Sequence, residues 1–258
     1  MQKTVICHFY NEEFLLPWWL KHHNAVFDHG IMIDYASTDR SVEIIKELCP
    51  NWEIRPSRNQ YFDSDPIDAE VMDIEAELTG WRMALNVTEF LYGNTDHLAD
   101  IAEPTQYLIG NYVFVDMEDE TKGPLGLDHS LPLHQQRYWG HDDFANNGVS
   151  RGAIMGRLNR SVHNHTVKYT GGRHWPYSEQ SFKDLVIFYY GWADIGETGL
   201  NRKTQILGKI NENATVHHHS REAFINEYRN AQQPVSKDLR EEIAPILEHN
   251  QRITGQDW

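Results

Sequence analysis

The residues best suited to chemistry in this chain stand where apolar runs stop. Gly80-Trp81-Arg82-Met83-Ala84-Leu85-Asn86-Val87-Thr88-Glu89-Phe90-Leu91 reads as a short apolar strand that delivers Asn86, Thr88 and Glu89 at its carboxyl end. In open α/β sheets, ligands and metals gather at the carboxyl ends of strands. A second apolar run, Tyr107 to Val115, ends in Asp116-Met117-Glu118-Asp119-Glu120, an oxygen-rich segment of the kind that holds a hard divalent cation. Gly140-His141-Asp142-Asp143-Phe144 and Gly171-Gly172-Arg173-His174-Trp175 add carboxylates and an imidazole, the groups that move protons. The paired glycines before Arg173 suit a close backbone approach to a ligand, and Trp175 and Tyr177 offer faces on which a sugar could stack.

Fifteen histidines, His163-Asn164-His165 and His217-His218-His219 among them, raise a transition-metal or phosphoesterase reading. No His-Glu-x-x-His or Cys-x-x-Cys spacing accompanies them, and consecutive histidines on a strand point to alternate faces. The chain also lacks a Gly-x-Ser-x-Gly elbow, a phosphate loop ending in Gly-Lys-Ser/Thr and a Gly-x-Gly-x-x-Gly fingerprint, which weighs against esterase, NTPase and dehydrogenase chemistry.

The 258 residues suffice for one α/β domain with a sizeable core. A formal charge of -15 argues against a nucleic-acid partner, since phosphate contacts need clustered Lys and Arg. It leaves room for a local basic pocket around a small phosphorylated ligand. Cys7 and Cys49 alone make no disulfide framework and point to a reducing compartment. Without a signal-peptide pattern or an apolar stretch of about 20 residues, a cytoplasmic location without a transmembrane segment is expected. The four Asn-x-Ser/Thr sequons, at Asn86, Asn159, Asn164 and Asn213, then read as chance matches.

The elements that must position these groups begin with a β-α-β-α pattern. Thr4–Phe9 reads as a buried strand, Phe14–Val26 as a helix with Pro17 in its first turn, and Ile31–Asp34 as a second strand. Ser37-Thr38-Asp39-Arg40-Ser41 offers caps to a helix through Leu48 that Pro50 stops. Trp52-Glu53-Ile54 opens a third strand, and Asn59 to Pro66 reads as a loop over a cleft. Ile67, Val71, Ile74 and Leu78 then share a helix face before the Trp81 strand. Helical crossovers between strands imply a parallel sheet. Residues 121–164, rich in Gly, His and Asn, read as loops and short strands that could build an acceptor site. Ser178–Trp192 returns to an amphipathic aromatic pattern, and the chain from Ser220 is expected to be helical with breaks at Pro234 and Pro245.

Several of these short motifs, in this order and spacing, resemble one family. His8-Phe9-Tyr10-Asn11-Glu12-Glu13, Trp18-Trp19-Leu20-Lys21-His22-His23, Gly30 and Ile33-Asp34-Tyr35-Ala36-Ser37-Thr38-Asp39-Arg40-Ser41 look like the opening of family-2-like glycosyltransferases. The branch they resemble continues with W-x-x-x-L-D-x-D-E-F-L, and Trp81 to Leu91 stands in that place. The resemblance covers about the first 91 residues. It implies a GT-A-like, Rossmann-like α/β fold, with a mainly parallel twisted sheet flanked by helices. Residues 1–219 would form the catalytic domain, 1–115 binding the nucleotide sugar and 116–219 the acceptor, with 220–258 a helical extension. The implied activity is inverting transfer of a sugar from a UDP- or GDP-sugar donor to a hydroxyl of a glycan or other acceptor. Donor-binding positions carried over by the match are Phe9, Asn11, Glu12, Asp34, Ser37, Asp39, Asn86 and Thr88, though Ser37, Thr38 and Asp39 equally suit simple helix capping.

The departure lies in the Asp-x-Asp pair, which in the family binds the divalent metal that neutralises the donor diphosphate. Here the pair reads Asn86-Val87-Thr88, and neutral oxygens hold Mg or Mn weakly. Three readings stay open. In the favoured one no metal is needed and Arg or Lys supplies the charge, from Arg151, Arg157, Arg160, Lys168, Arg173, Arg202 and Lys203. In the second, Mn or Mg sits on Asp116, Glu118 and Asp119; in the third, the chain is a degenerate sugar or nucleotide binder. Arg151, Arg157, Arg173, Trp175 and Lys203 are assigned to the diphosphate and acceptor, and Asp143, His174 and Glu89, in that order, are candidates for the catalytic base.

Overall fold

The run Thr4-Val5-Ile6-Cys7 is buried without interruption, as a parallel strand covered on both faces requires. In the computed structural model, which describes residues 1–142, 160–168, 171–173, 181–210 and 220–255, it lies in β1 (Lys3–Phe9). Next come α1 (Leu16–Val26), β2 (His29–Asp34), α2 (Ser41–Leu48), β3 (Glu53–Pro56), α3 (Ser64–Glu77) and β4 (Trp81–Ala84). The order β3-β2-β1-β4 is parallel throughout, with Phe9 opposite Asp34 and Ile6 opposite Ala84. The carboxyl ends of these strands therefore share one edge, and the arrangement fits the GT-A-like α/β class expected from the sequence.

Beyond β4 the neighbours reverse. β8 (Arg160–His163) pairs antiparallel with β4 and with β6 (Gln106–Val115). β6 also carries β7 (Trp139–Asp142), which follows the short α4 (Leu133–Gln136), and runs parallel to β9 (Ser181–Trp192). β9 in turn pairs with β5 (Glu89–Gly93). α5 (Glu197–Thr204) follows β9; α6 (Arg221–Glu227), β10 (Lys237–Asp238) and α7 (Arg240–Thr254) close the described chain.

Alternation along β1 sorts the two faces. Val5, Cys7 and Phe9 face α1 and α2 in the main core, with Trp18, Trp19, Leu20 and Ile45. Ile6 turns the other way with Ile31 and Ile33 and packs on Val71 and Ile74 of α3. The segment from residue 220 is tied into the same body: β10 pairs with β7, and Leu239 and Ile243 join the main core.

Several local expectations shift. α1 starts at Leu16 and α3 at Ser64, two residues before Pro66, because the first helical turn has no use for the missing proline N–H. The strand expected to open the Trp81–Leu91 stretch is β4, and after a turn a second strand, β5, starts at Glu89. Gly80 makes entry to β4 possible: its φ is +89°, and a Cβ there would lie 2.3 Å from the Gln2 carbonyl oxygen. Pro245 does not break α7 but lies inside it, at the cost of the one intrahelical bond its N–H would have made to the Glu241 carbonyl. No helix among the described residues is long and apolar enough to cross a membrane.

Candidate functional site

At the carboxyl ends of β1 and β2 the two following loops are stitched to each other. Ser37 Oγ accepts from the Asn11 amide at 3.0 Å, Ser41 Oγ from Glu12 at 2.8 Å and Asp39 Oδ2 from Glu13 at 3.0 Å. In return Asn11 Oδ1 accepts from the Thr38 amide at 2.7 Å, and Glu13 Oε2 from Arg40 at 3.1 Å. The expected capping of α2 by these side chains is kept only in part: Arg40, with no capping side-chain bond, takes the N-cap position, while Asp39 Oδ1 accepts from the Ser41 amide at 2.9 Å. Asn11 sits at φ 51°, a conformation that its short polar side chain tolerates. Asp34 Oδ1 accepts from the Ser37 amide at 2.8 Å. The structure thus brings Asn11, Asp34, Ser37 and Asp39 together. Phe9 departs from its expected place: strand alternation turns its ring into the core, 3% exposed.

A strap that the sequence did not announce crosses the same edge. Arg202 of α5 donates to both carboxylate oxygens of Glu12, at 2.8 and 3.0 Å. Burial raises the Glu12 pKa, and Arg202 opposes that shift. Gln205 Nε2 donates to the Tyr10 and Asn11 carbonyls at 3.1 and 2.7 Å, and Lys209 Nζ to the Tyr35 carbonyl at 3.0 Å. Lys209 also lies 4.7 Å from the Tyr10 ring centre. Lys203, expected near the diphosphate, instead lies 5.5 Å from the rings of both Trp192 and Phe224.

The end of β4 is built by α1. The Trp19 indole N–H is shared between the Asn86 and Glu89 carbonyls, at 3.1 and 3.0 Å. His22 Nε2 bonds the Leu91 carbonyl at 2.7 Å, and His23 Nε2 accepts from the Leu91 amide at 3.1 Å. Burial lowers the His23 pKa well below its ordinary value, so the ring is neutral and able to accept. The Trp-Trp-Leu-Lys-His-His motif is thereby a clamp on the 86–91 backbone.

Within that clamp, two arginines occupy the surroundings of Asn86 and Glu89. Glu89 and Arg160, each 1% exposed, form a two-pronged pair, with Oε1 to Nη2 at 2.7 Å and Oε2 to Nε at 2.8 Å. Glu89 Oε2 also accepts from the Asn86 amide at 2.7 Å. Arg173 Nη2 donates to Asn86 Oδ1 at 2.9 Å, and its Nη1 lies 3.4 Å from Asp68 Oδ1 of α3. The Gly172 and Arg173 amides both donate to Asp68 Oδ2, at 3.0 and 3.2 Å. Arg160 Nη1 holds the Gly172 carbonyl at 2.7 Å, which links the two pairs.

The donor set here does not fit a divalent metal: the Glu89 oxygens and Asn86 Oδ1 already face guanidinium groups. Glu89's oxygens are likewise committed to Arg160 and the Asn86 amide, so as arranged it is not poised to take an acceptor proton. Thr88 is buried and contributes its carbonyl to the Tyr190 amide at 2.7 Å. The alternative metal set is also spoken for. Asp116 lies 3.4 Å from Arg137 Nη2 and accepts from the Glu118 and Ile195 amides, and Glu118 pairs with Arg229 at 2.8 Å. Among the described residues no group of three His, Cys, Asp or Glu is placed to hold a metal ion. Lys168 is exposed. Asp143, Arg151, Arg157, His174, Trp175 and Tyr177 lie outside the described residues.

His8 and Glu70 form a further polar cluster beside Arg173, on the α3 face to which strand alternation turns His8. Glu70 receives His8 Nε2 at 3.1 Å, Ser57 Oγ at 2.8 Å, the Arg58 amide at 2.8 Å and Asn59 Nδ2 at 2.7 Å. Burial disfavours its charge, but the His8, Arg58 and Ser57 hydrogen bonds prevail and bring the Glu70 pKa from 4.5 down to about 2. A depressed acid stabilises the fold fully above its unfolded pKa, and that stabilisation is lost as pH falls through the folded value. Wild-type protein is therefore expected to lose stability between pH 4.5 and 2 through this group. Glu70→Gln should be less stable at pH 7 by about 2 kcal/mol and show a flatter acid limb. Urea denaturation of both proteins across that range checks it; parallel limbs would refute it.

Two open clefts, of about 530 and 370 Å³, lie at the amino ends of the strands around Lys3 and Asp28, on the far edge from this cluster. No protein-family model matches the chain, and no curated protein does. Solved structures give distant likenesses. Residues 1–349 of S. aureus TarS match at 13% identity and TM-score 0.40, over 98% of this chain and 81% of that one. The same protein in complex with UDP-GlcNAc matches at 15% and 0.35, over 62% and 45%. HddC from Yersinia pseudotuberculosis matches at 13% and 0.31, over 64% and 75%. In another TarS crystal structure the match spans only 22% of the solved chain. At such scores these likenesses say nothing about chemistry, and the functional reading stands on the residues.

Proposed function

We propose that the chain is a glycosyltransferase that moves a sugar from a UDP- or GDP-sugar to a hydroxyl of a glycan or related acceptor, with arginine in place of a divalent metal. The observation that carries this reading is the contact of Arg173 with Asn86 Oδ1 at 2.9 Å. Where a metal-dependent relative of the resembled family would carry a carboxylate and its cation, this chain carries an amide and a guanidinium. A guanidinium offers planar, two-pronged donors to phosphate oxygens and stays charged at any working pH. Charge held at the diphosphate stabilises the departing nucleoside diphosphate, and a fixed donor does so without reorganising.

The β1–β2 loops supply the neighbouring half of the site. Asp34 and Asn11, at adjacent strand ends, suit a ribose or base edge, and the stitching between the loops keeps them from drifting apart. The base that receives the acceptor proton is sought in the segments around Asp143 and His174. Inversion follows from the resemblance and the implied single displacement.

Hydrolysis of UDP- and GDP-sugars without acceptor, in EDTA and in Mn, tests the reading. Equal rates in both, within about twofold, are expected, because a fixed guanidinium needs no metal to supply the charge. Turnover that requires Mn would defeat the arginine assignment. Failure of every nucleotide sugar to bind at millimolar concentration would defeat the activity itself.

A further inference from the structure

Among the described residues the charges around Arg173 pair off one to one. Glu89 neutralises Arg160 and Asp68 neutralises Arg173. A doubly charged group entering here therefore needs one arginine released. The Arg160 pair is the less able to give way, being 1% exposed on both sides and closed by two bonds of 2.7 and 2.8 Å. The Asp68–Arg173 pair is looser, at 3.4 Å, and its carboxylate is held chiefly by backbone amides.

Those amides form a recognisable anion cradle. Gly171, Gly172 and Arg173 have φ of 62°, 77° and 66°, three consecutive residues in the left-handed region. Successive amides in turns of this kind converge on one point and bind anions. For Arg173, which has a Cβ, the conformation persists only because its surroundings impose it, and such residues gather at ligand clamps. The carboxylate in the cradle is one of this chain's own, on α3, 104 residues from Gly172.

We propose that the Gly171–Arg173 turn is the diphosphate site and that Asp68 is its built-in occupant, displaced from the two amides and from Arg173 when a diphosphate binds. The inference rests on the donor reading above and adds to it a competitor: in the free protein Asp68 keeps the cradle neutral and filled, and the ligand must evict it. Burial raises the Asp68 pKa against the pull of Arg173, so its charged form is held under strain and is the weaker claimant. Its neighbour Glu70, two residues along α3, is bonded to Ser57, Arg58 and Asn59, so that loop is tied to the helix that carries Asp68.

Titration of the whole chain with inorganic pyrophosphate, followed by calorimetry, tests the competition without relying on a sugar or base. Asp68→Asn keeps the shape and removes the charge, and it should bind pyrophosphate roughly tenfold tighter, since the fraction of empty cradle scales apparent affinity. Equal or weaker binding would overturn the proposal. If that variant does not fold, amide hydrogen exchange on the wild-type protein decides. Saturating pyrophosphate should slow exchange at Gly172 and Arg173 and speed it in α3, whereas unchanged or slower α3 exchange would overturn the proposal. Pyrophosphate uptake of the expected kind without binding of any nucleotide sugar would leave the cradle standing and remove the donor reading instead.

Discussion

Arg160→Met is expected to cost the fold about 3–5 kcal/mol, the range for breaking a buried ion pair from one side. Methionine fills much of the arginine stem's volume but leaves the Glu89 carboxylate at 1% exposure without its guanidinium, with the Asn86 amide the one donor left to it among the described residues. The Gly172 carbonyl loses its donor at the same time, so the damage reaches the 171–173 turn. Pairing the change with Glu89→Gln should return a large part of the loss, because the stranded charge is then gone. Guanidinium denaturation of the single and double variants measures the coupling. A single variant within about 1 kcal/mol of wild type, the scale of a surface pair, would mean that the Glu89–Arg160 pair is not the anchor described above.

Arg173→Lys should lower nucleotide-sugar turnover by about a hundredfold, in line with removal of one preorganised donor from a site where charge develops. Arg173 reaches Asn86 Oδ1 at 2.9 Å with one nitrogen and Asp68 Oδ1 at 3.4 Å with the other. An ammonium group is a single point and cannot hold Asn86 while reaching the diphosphate that takes the place of Asp68. The charge is retained, so a loss would report on geometry and not merely on net charge. Added Mn should not rescue the variant, since Asn86 and Thr88 supply no carboxylate. Kinetics of donor hydrolysis with and without Mn read this directly; unchanged turnover would remove Arg173 from the site, and rescue by Mn would put a metal there.

Much of the frame is visible in the residues themselves. The strand-like run Thr4 to Phe9 and the helices that follow are local matters of periodicity. They place Asn11, Asp34 and Asn86 at strand ends. The neutral side chains of Asn86 and Thr88, where the resembled family would carry Asp, are equally legible. The histidines of α1 show where such reading stops. His22 and His23 could be ligands or bases by type, yet their nitrogens bond the Leu91 backbone, a partner 68 or more residues away that no spacing rule reveals.

The sequence by itself determined which strand ends carry polar groups and that positions 86 and 88 hold neutral side chains, because hydrophobic period and residue type are properties of short segments. Only the tertiary structure decided which cation answers which anion. Arg160 meets Glu89 across 71 residues and Arg173 meets Asp68 across 105, through the pairing of β8 with β4 and the packing of α3 against the sheet. Asp68 carried no signal of its own, since on paper it is one acid among many on a helix. Electrostatic pairing depends on distance in space and on burial, and neither is encoded in the neighbours of a residue along the chain.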